Sequence, residues 1–153
     1  LLNAKTKEEA ARLAGDLTAL NQSRKALTEK GKEEAIRIIE TTELKNDRVL
    51  VVYLPDCHES LAGIIAGRIR EKYHRPAFVL TGGEASAKGS GRSIESYSMY
   101  EELVKCADLM IQFGGHPMAA GLSLPPGQSL SPSPDTFHQS HLQSLRAAAE
   151  WGF

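Results

Sequence analysis

The sequence predicts an α/β domain, a mixed four-stranded sheet with helical cover, preceded by a long connector helix. Three observations predict it. RVLVVYL (Arg48 to Leu54) is a short, nearly continuous apolar run rich in β-branched residues, which reads as a buried strand. Glu59 to His74 places Leu61, Ile64, Ile65 and Ile69 on one helical face. Further along the chain, strand-like and helix-like segments alternate, the order expected of a sheet covered by helices.

The first forty residues read as helix, with Leu13, Leu17, Leu20 and Leu27 at steps of three and four and Arg24 interrupting the stripe. Lys7, Glu8, Glu9, Arg12 and Asp16 make the opposite, charged face. Thr6 followed three residues later by Glu9 is a capping box. Gly31 falls where the stripe would continue, so a bend or a break is expected there. A long helix at a chain end reads equally as a connector or as a helix packed on its own domain. Pro55 and Asp56 end the first strand, and Gly63 and Gly67, one turn apart in the next helix, suit close approach of that helix to a sheet.

AFVLT (Ala77 to Thr81) is a second strand, set off by Pro76 and followed by a turn at Gly82 and Gly83. Ser86 to Ile94 is a third strand carrying glycines, Met99 to Ile111 a helix, and Ala119 to Leu124 a fourth strand. A Pro- and Ser-rich loop, Pro125 to Pro134, and a last helix, Phe137 to Trp151, complete the expectation. The domain division expected is 1–45 for the helical connector and 46–153 for the α/β domain.

Composition narrows the function. With 153 residues, 41% of them hydrophobic, the chain can build a core of ordinary size. Its formal net charge of -1 lacks the basic excess of proteins that coat a long phosphate backbone, so any anion site is a local one. Two cysteines, Cys57 and Cys106, far apart and with no CxxC pair, exclude a zinc ribbon and fit a reduced, cytoplasmic chain. No apolar run reaches the roughly 20 residues that span a bilayer. The first residue is Leu and not Met, which reads as a piece excised from a longer protein.

Three segments can carry chemistry. KGSGRS (Lys88 to Ser93) reads either as a glycine-bearing bend in a strand or as an anion nest, in which Gly89 and Gly91 turn backbone N–H groups toward one anion. In the second case Ser90 and Ser93 add hydroxyl donors and Arg92 a planar fork suited to phosphate oxygens. FGGHPMAAG (Phe113 to Gly121) reads as a helix C-terminal cap at Gly114 and Gly115, then His116, then small residues that let a ligand approach the backbone. In PDCHES (Pro55 to Ser60), Asp56, His58 and Glu59 crowd a helix start, where capping and the helix dipole explain them better than a metal does. Of the basic residues Arg68, Arg70, Lys72, His74 and Arg75, Arg68 falls beside Ile64 and Ile65 and either snorkels out or reaches into a cleft. No catalytic constellation and no metal-ligand set is recognisable.

CHESLAGIIAGRI (Cys57 to Ile69), KGSGRSI (Lys88 to Ile94) and FGGHPMAAGLSL (Phe113 to Leu124) resemble, in order and spacing, the DHH-associated C-terminal domain of bacterial RecJ exonucleases. Leu17 to Ala35 is similar to the segment that joins the two halves of that nuclease core. The resemblance implies 5′-to-3′ degradation of single-stranded DNA, in repair and recombination. It implies Mn²⁺ or Mg²⁺ held by an N-terminal DHH domain that this sequence does not contain, so that this chain alone is inactive and needs that domain as its partner. It also implies that Arg68, Lys88, Gly89, Ser90, Gly91, Arg92, Ser93, Gly114, Gly115 and His116 grip DNA phosphates. Two related resemblances imply other functions: an RNA-binding module like that of alanyl-tRNA synthetases, or a phosphodiesterase for short oligonucleotides.

Overall fold

The computed structural model describes residues 3–82 and 86–125. The expected turn at Gly83 and nearly all of the residues assigned to the Pro/Ser-rich loop and the last helix lie outside them. The chain divides into two compact units, Leu1–Lys30 and Gly31–Phe153. The elements are α1 (Lys7–Thr41), β1 (Leu50–Leu54), α2 (Glu59–Tyr73), β2 (Ala77–Thr81), β3 (Ala87–Arg92), α3 (Met99–Lys105), β4 (Gln112–His116) and β5 (Ala119–Leu124), with short 3-10 turns at Glu43–Asn46 and Ala107–Leu109.

The first unit is helical. The Thr6 hydroxyl accepts from the Glu9 amide at 3.1 Å, as the capping pattern predicts, and the Glu9 carboxylate accepts from the Lys5 amide at 2.9 Å. Leu17, Leu20 and Leu27 are all exposed on this unit.

In the second unit the sheet has five strands, in the order β1-β2-β3-β5-β4. β1 and β2 are parallel, with α2 between them in sequence, and the remaining pairs are antiparallel. The α/β class is as expected, with one strand more. The extra strand, β4, takes up the GGH segment where a helix cap was expected. The helix expected from Met99 to Ile111 is correspondingly short: α3 ends at Lys105 and a 3-10 turn follows. Neighbouring β5 supplies the physical reason, since pairing with it satisfies the backbone of Gln112–His116.

Side chains alternate across the sheet and build two cores. On one face Leu50, Val52, Leu54, Ala77 and Val79 pack with Leu61, Ile65 and Ile69 of α2 and with Ala35 and Ile39. On the other, Val51, Phe78, Leu80, Ala120 and Leu122 pack with Met99 and Leu103 of α3. The helical span of α1 runs on through Gly31. A Cβ there would stand 2.6 Å from Ile65 Cδ1, so the glycine serves close approach to α2.

The glycines of β3 belong to the second core. A Cβ on Gly91 would collide with Met99 Sδ and lie 2.5 Å from Phe78 Cε1, and one on Gly89 would collide with Leu80 and lie 3.0 Å from Leu122. β3 is hydrogen-bonded on both edges, to β2 and to β5, so its amides are committed to the ladder and the anion nest is not formed. Gly91→Ala overpacks this layer and is expected to destabilise the protein by about 1–3 kcal/mol, measured as a lowered midpoint in urea unfolding.

Candidate nucleic-acid interface

The same alternation that sets Gly89 and Gly91 toward the second core turns Lys88, Ser90 and Arg92 to the opposite face. There the strand registers build three rows across β3, β5 and β4: Lys88, Ser123 and Gln112; Ser90, Gly121 and Gly114; Arg92, Ala119 and His116. The middle member of each row is small, so β5 is a low floor between two polar sides. Successive rows are two residues apart, about 6.8 Å at roughly 3.4 Å per residue. This spacing is of the same order as that between successive phosphates of an extended strand.

An open cleft of about 580 Å³ lies over the first two rows. Lys88, Gly89, Ser90, Gly114, Gly121 and Ser123 line it, and Glu59 and Ser60 at the start of α2 close one side. His58 caps that helix, its Nδ1 accepting from the Ser60 amide at 3.2 Å, and Glu59 sits in the first turn, the capping arrangement expected.

The remaining anticipated residues are more scattered. Arg92 continues the β3 side of the trough, half-buried, with Nη1 donating to the Gly91 carbonyl at 2.7 Å. Among the described residues no carboxylate pairs with it, whereas Arg68 pairs with Glu71 at 3.1 Å and Lys88 with Glu59 at 2.7 Å. His116 is exposed at the end of β4, and its Nδ1 accepts from the Met118 amide at 3.3 Å, which leaves the proton of the neutral ring on Nε2. Gly115, at φ +152, sits where a Cβ would be 2.6 Å from Ala120 Cα, a close approach that only glycine allows.

Arg68 is exposed on α2 and is not among the cleft residues. Ser93 is 1% exposed and donates to the Tyr97 carbonyl at 2.6 Å, so its hydroxyl serves the fold. The other basic residues near Arg68 are likewise engaged. Arg75 donates to the carbonyls of Lys45 and Asp47, and His74 is the left-handed cap of α2.

Sequence reasoning missed Gln112, Ser123, Ser60 and the Lys88–Glu59 pair. The period-two alternation held part of the signal, but which strands are neighbours, and in what register, is set by the fold.

Among the described residues no three His, Cys, Asp or Glu side chains come together to hold a metal. Nor is any described helix long and apolar enough to cross a membrane.

Lys88 bonds to the Glu59 carboxylate and holds it below the usual carboxylate range. A depressed pKa means the ion pair is intact above about pH 4.3, the value for a free glutamate, and is lost as pH falls through the lower folded value. Lys88→Ala is expected to return the Glu59 midpoint in an NMR titration upward toward that of a free glutamate.

Comparison with known proteins places this architecture. The family model described as the DHHA1 domain matches residues 46–137. The single-stranded-DNA-specific exonuclease RecJ of Salmonella typhimurium is 43% identical over 124 residues, covering 76% of this chain and 22% of that protein. RecJ of Bacillus subtilis is 37% identical over 126 residues, covering 81% of this chain and 16% of that protein. This chain thus spans about a fifth of the length of the curated relatives it matches. The crystal structure of Thermus thermophilus RecJ in complex with Mn²⁺ superimposes with a TM-score of 0.75 at 28% identity, covering 97% of this chain and 20% of that one. With the family model covering more than half of its residues, the chain belongs to the DHHA1 domain family.

Proposed function

We propose that this chain is the substrate-gripping, C-terminal part of a RecJ-type exonuclease that degrades single-stranded DNA from the 5′ end in the cytoplasm. On this reading residues 1–45 connect it to a DHH catalytic domain, and residues 46–153 form the domain that holds DNA. On the same reading the divalent metal belongs to that catalytic domain; the RecJ structures that this chain resembles carry Mg²⁺ or Mn²⁺. This chain binds the strand and fixes its phosphates relative to the reacting bond, a contribution of orientation.

One observation carries the reading. Arg92 is a half-buried guanidinium with no carboxylate partner among the described residues, on the polar face of a trough whose floor is Ala119, Gly121 and Ser123. An unneutralised cation above a floor without bulk suits a phosphate backbone that must come close to the sheet. A net charge of -1 fits a grip made by a few such donors and not by a broad basic surface. The relatives' name, single-stranded-DNA-specific exonuclease RecJ, supplies the substrate and the class of reaction.

The test is fluorescence anisotropy with single-stranded DNA bearing a 5′-phosphate or a 5′-hydroxyl, for this chain and its Arg92→Ala variant. Loss of one charge-assisted contact is expected to weaken binding about 10- to 100-fold. With about three phosphate contacts the log–log salt slope is expected near roughly −2. Equal binding by the variant would sink the reading. Joined to a RecJ-type DHH domain, the chain is expected to support Mn²⁺-dependent 5′ degradation.

A further inference from the structure

We propose that Gly63 of α2 is a positioning residue for DNA binding: its missing side chain leaves the slot in which the Arg92 guanidinium lies beside the Ser90 hydroxyl. This rests on the phosphate-gripping reading of Arg92 given above.

The observations concern what a Cβ at Gly63 would meet. It would stand 2.6 Å from Arg92 Nη2, 3.2 Å from Arg92 Cζ and 3.2 Å from Ser90 Oγ. All three atoms belong to donors on the trough face of β3. None belongs to the sheet backbone, so close helix–sheet packing alone does not account for the glycine. The nearest of them is the tip of a long, flexible side chain. An alanine here would therefore be accommodated by pushing the guanidinium away, at little expense to the fold. Helix propensity favours alanine over glycine at an interior position of α2, so this glycine stands against local preference.

Gly67, one turn further along α2, is the internal control. A Cβ there would lie 3.9 Å from Arg92 Cγ, an ordinary contact with the stem of the same side chain. The two glycines differ in what they face: Gly63 the guanidinium of Arg92 and the Ser90 hydroxyl, Gly67 only the stem of Arg92. Gly31, where the obstructing atoms are those of Ile65, shows what a purely structural glycine looks like in this protein.

The experiment uses the 153-residue chain with Gly63→Ala, Gly67→Ala, Arg92→Ala and the double variant of Gly63 and Arg92. Three quantities are read: the NMR resonance of the Arg92 Nε–H group, the Tm, and the affinity for 5′-phosphorylated single-stranded DNA. Gly63→Ala is expected to shift the Arg92 resonance without DNA present, leave the Tm no lower than wild type, and weaken binding about tenfold, the scale of one impaired charge-assisted contact. Gly67→Ala is expected to leave both the resonance and the affinity unchanged. In the Arg92→Ala background, Gly63→Ala is expected to add no further loss, because it acts through the group already removed.

An unmoved Arg92 resonance overturns the inference, as do additive losses in the double variant, an equal loss from Gly67→Ala, or a Tm lower for Gly63→Ala than for Gly67→Ala. If Arg92→Ala binds as tightly as wild type, the failure lies in the phosphate reading. The slot itself remains judged by the DNA-free resonance.

Discussion

The rest of this structure depends on how closely β3 is pressed from one side. Phe78, Leu80, Met99 and Leu122 lie directly against Gly89 and Gly91, and the strand tolerates no side chain toward them. Interiors packed to this density transmit a constraint along the strand. Residues flanking the two glycines can face only the opposite side, and all three of them, Lys88, Ser90 and Arg92, are polar. One strand thus locks the apolar layer under α3 and displays the donors beside α2. Its amides hold the ladder on both edges, so the chemistry falls to side chains alone.

Charge is distributed in keeping with this division. Several surface cations are neutralised locally: Arg37 by Glu34, Arg68 by Glu71, Lys105 by Glu102, Lys88 by Glu59. Exposed pairs of this kind contribute little stability, but they reduce the field that would draw phosphates to the wrong surface. Arg92 stands apart because its surroundings are glycine, a serine hydroxyl and a carbonyl oxygen. Beside a Lys88 already compensated by Glu59, a guanidinium on the same strand with no carboxylate partner among the described residues is informative.

Much of the fold was legible from residue pattern. The apolar run around Val51, the stripe of Leu61, Ile65 and Ile69, and AFVLT are long or regular enough that period and burial agree. What was not legible depended on neighbours distant in sequence. Gly114 and Gly115 have the local signature of a helix end, yet pairing with Gly121 and Ala120 makes them a strand. Gly31 has the local signature of a break, yet α1 continues because the glycine answers to Ile65. In the trough, Lys88, Ser90 and Arg92 could be read together from alternation. Gln112 and Ser123 required the β4–β5 register, and Ser93 lay one residue past the end of the strand, where the phase of alternation no longer assigns a face.

The low floor of β5 has a consequence for how this protein responds to mutation. On the phosphate-gripping reading proposed above, the working property of Ala119 and Gly121 is empty volume, and truncation has almost nothing there to remove. A survey that replaces residues by alanine would pass over the centre of the trough in silence and assign its whole importance to the rim. Natural or designed changes that add atoms at these positions act in the opposite way. They leave every donor in place while lifting the ligand off the sheet, so recognition fails by obstruction with all of its contacts nominally intact.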